Sequence, residues 1–309
     1  MKGVCELTKI TIAAVGDLLM KKKMLDSAAR EGGFASIFAK VKPYLRKSDL
    51  TIGNLETTFS GKNFREEPGK LLFNSPDEFA AALRNLGFDV LSTANNHCMD
   101  GKRSGLRRTL NVLDRHGLQH TGTFRSAREA RRKLIVNVKG IKIGILAYTK
   151  GTNGLPVPEP WLVNRLNRSK IIADVHSLKN KTDFIIVCLH FGKEFRTYPD
   201  RNQIRLMQLL FHNGVNVVLG AHPHVMHPIK MFKAKDIDGI VRNRVAASSL
   251  GNFVSTELPR HTARLRGTIL MLTITKNAKG VTDVMKMSCV STRIMQNIGK
   301  KNVFRVVPD

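Results

Sequence analysis

Polar residues of the types that bind metals or transfer protons follow several apolar segments of this sequence. Each apolar segment has the length of a β-strand, and acids, asparagines or histidines stand at its end or a few residues beyond. In chain order these residues are Asp17, Asn54, Glu56, Asn95, Asn96, His97, Asp100, His190, Glu194, His222, His224 and Asn252. A protein core has no need of them, because a buried polar group without a partner costs free energy. The pattern predicts that distant parts of the chain assemble one site.

The mixture of side chains at these strand ends predicts a divalent metal site. Carboxylate, amide and imidazole ligands together suit Mn, Zn or Fe, whereas a structural zinc site normally includes cysteine. In the segment GAHPH, His222 and His224 stand two residues apart, and on an extended backbone such side chains point the same way. Each residue alone has an ordinary explanation, such as a turn acid or a structural histidine. Their joint occurrence favours a site for one or two ions.

The segment STANNHCMDG at 92–101 has two explanations. Asparagine and aspartate are common in turns, so the segment is consistent with a simple loop. Alternatively, Asn96 supplies a neutral oxygen ligand and His97 moves a proton. Asp100 either caps the helix predicted from residue 103 or pairs with His97.

Strand-length apolar runs recur along the chain and set the expected positions of these side chains. Most are apolar at successive positions, which is typical of strands covered on both faces. The runs span residues 9–17, 49–56, 88–97, 141–149, 183–192, 216–224, 244–253 and 268–276. Two long loops, at 60–70 and 150–161, are candidates for functional loops, because long ordered loops in compact domains often carry function.

Helices are predicted between several of these strands, at 75–87, 103–116 and 199–214. In the first helix Ser75 is expected as the N-cap, with Glu78 completing a capping box. Strands that alternate with helices predict an α/β fold with largely parallel sheets. In such a fold the carboxyl ends of the strands share one edge, where ligands bind. The strands after residue 244 lack long helices and indicate a second sheet or an antiparallel edge.

The net charge of the chain indicates which classes of binding partner to expect. The chain has 51 Lys+Arg and 24 Asp+Glu among 309 residues, a formal net charge of +27. Such a surface attracts anionic substrates, anionic polymers and anionic membranes. Nucleic acid is a weaker expectation, because aromatic residues make up only 6% of the chain and no nucleic-acid-binding motif stands out. A generally basic proteome is the alternative explanation of the charge.

No segment of the sequence predicts targeting or membrane insertion. The N-terminal apolar run is short and ends in Gly16-Asp17, so it is interpreted as a first strand and not as a signal peptide. No stretch reaches the roughly 20 apolar residues of a membrane helix. Four cysteines without metal-ligand spacing predict reduced thiols. The expected location is therefore cytoplasmic, with peripheral membrane association as the alternative.

Six short segments, taken in order, resemble the CapA family of poly-γ-glutamate capsule biosynthesis proteins. They read GD at 16–17, NLE at 54–56, ANNHCMD at 94–100, HFGKE at 190–194, GAHPH at 220–224 and SLGNF at 249–253. The resemblance runs from about residue 10 to 255. It implies a calcineurin-like metallophosphoesterase fold, a four-layer αββα sandwich of the α/β class with a metal site at the carboxyl ends of the strands. One domain is expected over residues 8–299, with short tails.

The resemblance also implies roles for the residues at the strand ends. Asp17 would bind one ion, and Glu56 would stand where metallophosphoesterases place a bridging acid. The other metal ligands would be Asn96, His190, His222 and His224, and the substrate or the outer part of the site would be contacted by Asn54, Asn95, Asp100 and Asn252. His97 would protonate a leaving group. Glu194 would orient His190 or act as a base.

The sequence departs from the metallophosphoesterase pattern at three places. Asp17-Leu18-Leu19 lacks the histidine that usually follows the first acid by two residues. Asn54 or Glu56 replaces the bridging aspartate, and Asn-Asn-His-Cys replaces Gly-Asn-His-Asp. These departures leave open whether one ion or two are bound, and whether the site is catalytic.

Three functions are consistent with these expectations. The first is a CapA-like, divalent-metal-dependent hydrolase acting on an anionic phosphoester or γ-glutamyl polymer. The second is a non-catalytic accessory protein of anionic polymer synthesis or export, with other polymer-biosynthesis proteins as partners. The third is a nucleic-acid-binding protein or nuclease, indicated only by the basic charge and by nuclease members of the wider superfamily.

Overall fold

Fourteen strands and eight helices are formed by residues 7–62, 64–255, 265–296 and 303–309, which this computed structural model describes. The strands are β1 (Thr8–Leu18), β2 (Leu50–Leu55), β3 (Val90–Ser92), β4 (Gln119–Thr121), β5 (Leu134–Val138), β6 (Ile141–Thr149), β7 (Phe184–His190), β8 (Val217–Ala221), β9 (Ile229–Lys235), β10 (Val241–Ala247), β11 (Asn252–Val254), β12 (Arg266–Lys276), β13 (Thr282–Gln296) and β14 (Phe304–Pro308). The helices are α1 (Lys22–Arg30), α2 (Phe34–Phe38), α3 (Lys42–Arg46), α4 (Asp77–Leu86), α5 (Lys102–Arg115), α6 (Ala127–Arg131), α7 (Arg168–Lys179) and α8 (Arg201–His212).

The strands form two mixed sheets. The first has the order β14-β13-β12-β1-β2-β3-β4, with β11 beside the end of β1, and the second has the order β5-β6-β7-β8-β10-β9. The central strands are parallel, namely β1 to β4 in the first sheet and β6, β7, β8 and β10 in the second. Antiparallel strands complete the edges. Of the alternatives expected after residue 244, an antiparallel edge is formed by β12, β13 and β14, whereas β10 pairs in parallel with β8 and β11 in parallel with β1.

Buried apolar side chains hold the sheets and helices together as four layers. Between the sheets, Ile12 and Ile52 of the first sheet belong to one cluster with Ile143 and Ile186 of the second. Val15 of β1 belongs instead to a second cluster, formed with the helices α1 to α5. A third cluster packs α7 and α8 on the outer face of the second sheet. The predicted αββα sandwich is confirmed, and burial of the central strands on both faces explains their continuous apolar runs.

The three predicted helices are present, but the predicted capping of the first one is wrong. The helix α4 begins at Asp77 with Pro76 as its N-cap, and no side chain caps it. The hydroxyl of Ser75 lies instead 3.0 Å from the hydroxyl of Thr57. A capping box does open α8, where Asp200 pairs with the third residue of the helix, Gln203.

The strand predicted at 244–253 is two strands that belong to different sheets. The strand β10 lies beside β8 in the second sheet, whereas β11 lies beside β1 in the first. Residues 248–251 cross between the sheets at their shared edge. Gly16 permits this close approach, because a Cβ atom there would lie 1.9 Å from the carbonyl oxygen of Gly251. The strand predicted at 88–97 is shorter than expected, since residues 95–100 form turns.

The C-terminal strand β14 lies beyond residue 299, the predicted end of the domain, and pairs with β13. The domain limits themselves stay a prediction. Cys98, Cys188 and Cys289 are free thiols, as expected, and Cys5 lies outside the described residues. Within the described ranges, no helix has the length and apolar character needed to cross a bilayer.

Candidate metal centre

The carboxyl ends of β1, β2, β7 and β8 meet at one edge of the two sheets. In the first sheet Asp17 is paired with Asn54 of β2 and with Asn252 of β11. In the second sheet His190 ends β7 beside the last residue of β8, which directly precedes His222. The shared direction of the parallel strands thus brings residues from 17 to 252 to one place.

Glu56 lies at the centre of this cluster. Its side chain is fully buried, and its Oε1 lies 3.5 Å from His190 Nε2 and 3.7 Å from His224 Nε2. Two groups of donors share it, one with His190 and His222 and the other with Asp17 and His224. Within each group the donor atoms lie within 4.8 Å of one another. A carboxylate that belongs to both groups is placed to bridge two ions.

Several buried donor atoms at this centre lack a hydrogen-bond partner among the described residues. They are Asp17 Oδ2, both carboxylate oxygens of Glu56, Asn54 Oδ1 and His222 Nδ1. Buried carboxylate oxygens are costly unless hydrogen bonds, counter-charges or metals compensate them. Oxygen and imidazole donors are also the ligands that Mn, Zn and Fe accept. The residues present therefore fit one or two divalent ions.

The pKa shifts at the centre reflect burial without enough compensating charge. Burial raises the pKa of Glu56 well above its usual value, and the neighbouring Asp17 carboxylate raises it further. Burial lowers the pKa of His190 and of His222, and the nearby histidines add to both effects. Burial also acts to lower the pKa of His224, but its contact with Asp17 outweighs burial and raises it. His190 and His222 therefore favour the neutral form, which is the form that binds metals.

The turn that carries His222 and His224 has an unusual backbone. The φ angle is 98° at His222 and 58° at His224, in the left-handed region that residues other than glycine rarely adopt. The expectation that both side chains project from an extended segment is therefore wrong. They reach the centre from a turn, with their ring centroids 6.3 Å apart. Backbone strain of this kind is concentrated at ligand-binding sites.

Asparagine side chains fix the orientation of His190. Asn96 Oδ1 lies 2.8 Å from His190 Nε2, so both atoms can face one ion. Asn54 Nδ2 lies 3.3 Å from His190 Nδ1 and donates to Asp17 Oδ1 at 2.8 Å. The two imidazole nitrogens of His190 contact these asparagines, and the Glu194 side chain is exposed. Orientation of His190 by Glu194 stays a prediction. A role for Glu194 as a base stays a prediction.

His97 and Asp100 form a buried pair beside the centre. Asp100 Oδ2 lies 2.8 Å from His97 Nδ1 and accepts a hydrogen bond from the backbone N–H of Phe73 at 2.6 Å. The Phe73 ring packs against the imidazole, with the ring centroids 4.4 Å apart. The helix α5 has Gly101 as its N-cap and no side-chain cap. Asp100 is therefore the partner of His97 and not the cap of the helix.

Asn95 and Asn252 hold loops and ligands in place. Asn95 Nδ2 donates to the carbonyl of Leu55 at 2.6 Å, and its Oδ1 accepts from the backbone N–H of His97 at 3.0 Å. Asn252 Oδ1 lies 3.0 Å from His224 Nδ1, and its Nδ2 donates to the His224 carbonyl at 3.2 Å. Asn95 thus has the turn role considered for it, and Asn252 positions a candidate ligand.

Asn153 is a further residue of the site. It was not among the residues predicted from the sequence. Its Nδ2 lies 3.4 Å from His97 Nε2, and its Oδ1 accepts from Asn96 Nδ2 at 3.2 Å. Because the amide nitrogen of Asn96 donates to Asn153, Asn96 Oδ1 is the atom that faces His190. The residue lies in the loop 150–161 with φ at 49°. The unusual length of this loop was a signal in the sequence that pointed to it.

Two mixed sheets between helical layers, with carboxylate and imidazole donors at their shared edge, define the class of this fold as an αββα sandwich. A family model described as bacterial capsule synthesis protein PGA_cap matches residues 11–257. The chain belongs to this family.

Two curated relatives from Bacillus carry the CapA name. The Bacillus subtilis PGA biosynthesis protein CapA is 28% identical over 257 residues, which is 79% of this chain and 63% of the relative. The Bacillus anthracis capsule biosynthesis protein CapA is 26% identical over 258 residues, which is 81% of this chain and 60% of the relative. The chain thus spans somewhat less than two thirds of the length of these relatives.

A mycobacterial relative and a solved structure extend the comparison. A Mycobacterium tuberculosis protein, provisionally described as a polyglutamine synthesis accessory protein, is 26% identical over 204 residues, which is 62% of this chain and 53% of the relative. A Staphylococcus aureus crystal structure, provisionally assigned as a 5′-nucleotidase and holding alpha-ketoglutarate, superposes with a TM-score of 0.55 at 14% identity. The superposition covers 91% of this chain and 54% of that one. At this identity the likeness concerns the fold.

Proposed function

We propose that this chain is a divalent-metal-dependent hydrolase that cleaves a phosphoester or γ-glutamyl amide bond in an anionic substrate. The observation that carries the proposal is Glu56, a fully buried acid whose two oxygens have no hydrogen-bond partner among the described residues. Glu56 also belongs to both groups of candidate metal ligands. A buried acid with a purely structural role would be paired, so a bound cation is the compensation that this site supports.

Two donor sets would hold the metal. Asp17, Glu56 and His224 form one set, and Glu56, His190 and His222 form the other, with Asn96 Oδ1 beside His190. When bound, a divalent ion supplies a Lewis acid that polarises a scissile phosphoryl or carbonyl oxygen. Mn, Zn or Fe fits these ligands.

His97 is the residue proposed to protonate the leaving group. Asp100 holds its Nδ1, so Nε2 is the nitrogen that faces outward, where it meets the exposed loop residue Asn153. A substrate atom that replaces the Asn153 amide would receive its proton from His97 Nε2. General acid catalysis of this kind contributes about 10²- to 10⁴-fold to a rate.

The anionic nature of the substrate rests on charge and on kinship. The formal net charge of +27 draws anions towards the protein. The related Bacillus proteins are named for capsule and PGA biosynthesis, and the proposal carries this role over to the present chain. Other proteins of polymer synthesis are the proposed partners. The cellular location stays a prediction.

A non-catalytic accessory role in polymer synthesis is the second candidate. It is favoured by the description of the mycobacterial relative and by the departure of the Asn-Asn-His-Cys segment from the metallophosphoesterase pattern. In this role the same fold and metal centre would hold an anionic polymer without cleaving it.

Thermal denaturation tests whether the centre binds metal. After treatment with EDTA, addition of Mn²⁺ or Zn²⁺ is expected to raise the melting temperature of the wild type, because a ligand of the folded state stabilises it. His222→Ala is expected to lose this shift. His176→Ala, which removes an exposed histidine of α7, serves as the matched control and keeps it. If the wild type gains no stability with any of these metals, the metal-site proposal is wrong.

Turnover measurements separate the two candidate functions. Phosphomonoester, phosphodiester and γ-glutamyl amide substrates are each tested with Mn²⁺ and Zn²⁺. Metal-dependent turnover that falls about 10²-fold or more in His97→Ala supports the hydrolase. Polymer binding that survives in His97→Ala, together with no turnover of any substrate, supports the accessory role.

A further inference from the structure

A basic groove, separate from the metal centre, runs along the outer side of the second sheet. It is a cavity of about 930 Å³ between α6, the start of β5 and α7. Its cationic walls are formed by Arg131, Arg132, Lys133, Lys170 and Lys181. None of the metal-centre donors described above lines it.

The charge of this groove is largely uncompensated. Its one acid, Asp174, is already engaged by Lys133 and Lys170, each at 2.7 Å. Arg131, Arg132 and Lys181 have exposed side chains and no ion pair within the described part of the chain. Three cations of the groove are therefore available to an anionic ligand, and charges that face a shared concave surface reinforce one another.

Polar side chains form a row along the α7 wall of the groove, which suits a linear ligand. Lys170, Asp174 and Ser177 lie on one face of α7, at intervals of four and three residues. Lys170 and Ser177 are separated by roughly 10 Å along the helix axis, and Lys181 continues the row just past its end. The Lys133–Asp174 ion pair ties the opposite wall to this face. Cations thus stand at both ends of the groove and along its far wall.

The groove and the metal centre are connected by the loop 150–161. Near its start, Asn153 contacts Asn96 and His97 of the metal centre. At its end, Pro160 and Trp161 line the groove. The loop 150–161 therefore contacts both the groove and the metal centre.

We propose that this groove binds a linear polymer with carboxylate side chains. The choice of a polycarboxylate over a nucleic acid follows from the lining, in which Trp161 is the one aromatic ring. Single-stranded nucleic acids are held by successive aromatic rings on which bases stack. The proposal rests on the proposed function for the nature of the polymer, but the existence of the groove site does not depend on hydrolysis.

The single tryptophan of the chain gives a probe placed in the groove itself. Trp161 is the one tryptophan among 309 residues. Poly-γ-glutamic acid is titrated into the EDTA-treated protein while the intrinsic fluorescence is recorded, and fluorescence anisotropy of labelled polymer gives the affinity. Binding in the groove is expected to change the Trp161 emission, whereas binding elsewhere on the basic surface is expected to leave it constant. Anisotropy that rises without any change of emission would overturn the proposal.

Two charge-matched triple variants separate the groove from general charge attraction. Arg131→Glu with Arg132→Glu and Lys181→Glu is expected to weaken polymer binding about tenfold or more. The control is Lys40→Glu with Lys42→Glu and Lys47→Glu, three exposed lysines near α2 and α3, which changes the net charge equally. Equal weakening by both triples would overturn the proposal. Melting curves check that each triple variant is folded. The corresponding glutamine triples are expected to lose less polymer affinity than the glutamate triples, and the groove triple is again expected to lose more than the control triple.

Competition and turnover complete the test. An oligonucleotide of similar total charge is expected to displace the polymer poorly, and displacement as effective as by unlabelled poly-γ-glutamic acid would contradict the polycarboxylate assignment. Polymer binding is also measured in His222→Ala, where it is expected to persist. Loss of metal-dependent turnover in His222→Ala with retained groove binding supports both proposals. If no turnover occurs in any variant while groove binding persists, the hydrolase fails and the groove site stands.

Discussion

Glu56 and Asp174 are two buried acids in the same fold with opposite surroundings. Glu56 lies at the carboxyl edge of the sheets, and neither of its oxygens has a hydrogen-bond partner among the described residues. Asp174 lies on α7 and receives hydrogen bonds from Tyr148 and Lys170, each at 2.7 Å, while Lys133 lies 2.7 Å from its other oxygen. Glu56 has two histidines at 3.5 and 3.7 Å but no lysine or arginine in an ion pair with it among the described residues, whereas Asp174 is paired with two lysines.

The pKa values of these two acids move in opposite directions for this reason. Burial, with the nearby Asp17, raises the pKa of Glu56 well above its usual value. Burial also acts to raise the pKa of Asp174, but the hydrogen bonds from Lys133, Lys170 and Tyr148 outweigh it and lower the pKa. The fold is therefore able to satisfy a buried carboxylate, and at Glu56 it does not. This difference indicates a site that a cation completes.

The largest effect is expected from metal binding. At a metal concentration about 1,000 times the Kd, the wild type should gain about 4 kcal/mol of unfolding free energy. Glu56→Gln should lose nearly all of this gain, because the shared carboxylate is removed. Asp174→Asn should keep it, since Asp174 is not among the candidate ligands. Chemical denaturation with and without EDTA measures the three values. If Glu56→Gln and Asp174→Asn lose the metal-dependent gain in stability equally, the two acids do not differ in metal binding.

Removing the charge of the paired acid should be destabilising. Asp174→Asn is expected to lower the free energy of unfolding by about 3 kcal/mol, because two lysines and a buried tyrosine hydroxyl lose a charged partner. Urea denaturation of EDTA-treated protein gives the value. Asp26→Asn, at an exposed position of α1, is the control and should stay within about 0.5 kcal/mol of the wild type. An unchanged stability of Asp174→Asn would show that its ion pairs contribute little.

Replacing the carboxylate of Glu56 by an amide should change the free energy of unfolding in the opposite direction. In metal-free protein at neutral pH, Glu56→Gln is expected to raise the free energy of unfolding by about 2 kcal/mol, because the folded wild type must keep Glu56 protonated at a pH where the unfolded chain releases the proton, whereas glutamine is neutral in both states. The measurement is the same urea titration. A destabilised Glu56→Gln would mean that Glu56 already has adequate partners, and the argument for a cation would fail.

The smallest effect is expected for the pH dependence of the difference in unfolding free energy between metal-free Glu56→Gln and the wild type. The folded protein holds a proton on Glu56 above its ordinary pKa of 4.5, whereas the unfolded chain releases it there. The folded state then binds more protons than the unfolded state, so this group lowers stability as pH rises from 4.5 towards the folded pKa. The advantage of metal-free Glu56→Gln over the wild type should therefore grow with pH in this window, by at most about 1.4 kcal/mol per pH unit. A difference that is constant with pH would contradict the raised pKa.

The sequence located much of the candidate site because of how parallel strands end. Asp17, Glu56, His190 and His222 each follow an apolar run, and parallel strands share one carboxyl edge. The α/β class of fold followed from runs that are apolar on both faces and from helices between them, and its four layers were implied by the family resemblance. These inferences depend on local patterns, that is, on residues that lie close together in the sequence.

Other features depend on contacts between residues far apart in the chain, and the sequence did not show them. The residues 244–253 formed one apolar run, yet they belong to two sheets, because the chain crosses at Gly251 against Gly16. The left-handed turn at His222 and His224 was expected to be extended. Such conformations are imposed by the surrounding structure and outweigh local preference.

The sequence by itself determined the kinds of donor, the strand ends that carry them and the family resemblance. The tertiary structure decided which acids are compensated. Glu56 follows an apolar strand and Asp174 lies in a helical segment, but neither segment shows whether its acid has a counter-charge. They differ because Lys133 and Tyr148 reach Asp174 from other elements, while Asp17 and three histidines surround Glu56. The electrostatic state of a buried group is set by neighbours in space, and only the folded chain defines those neighbours.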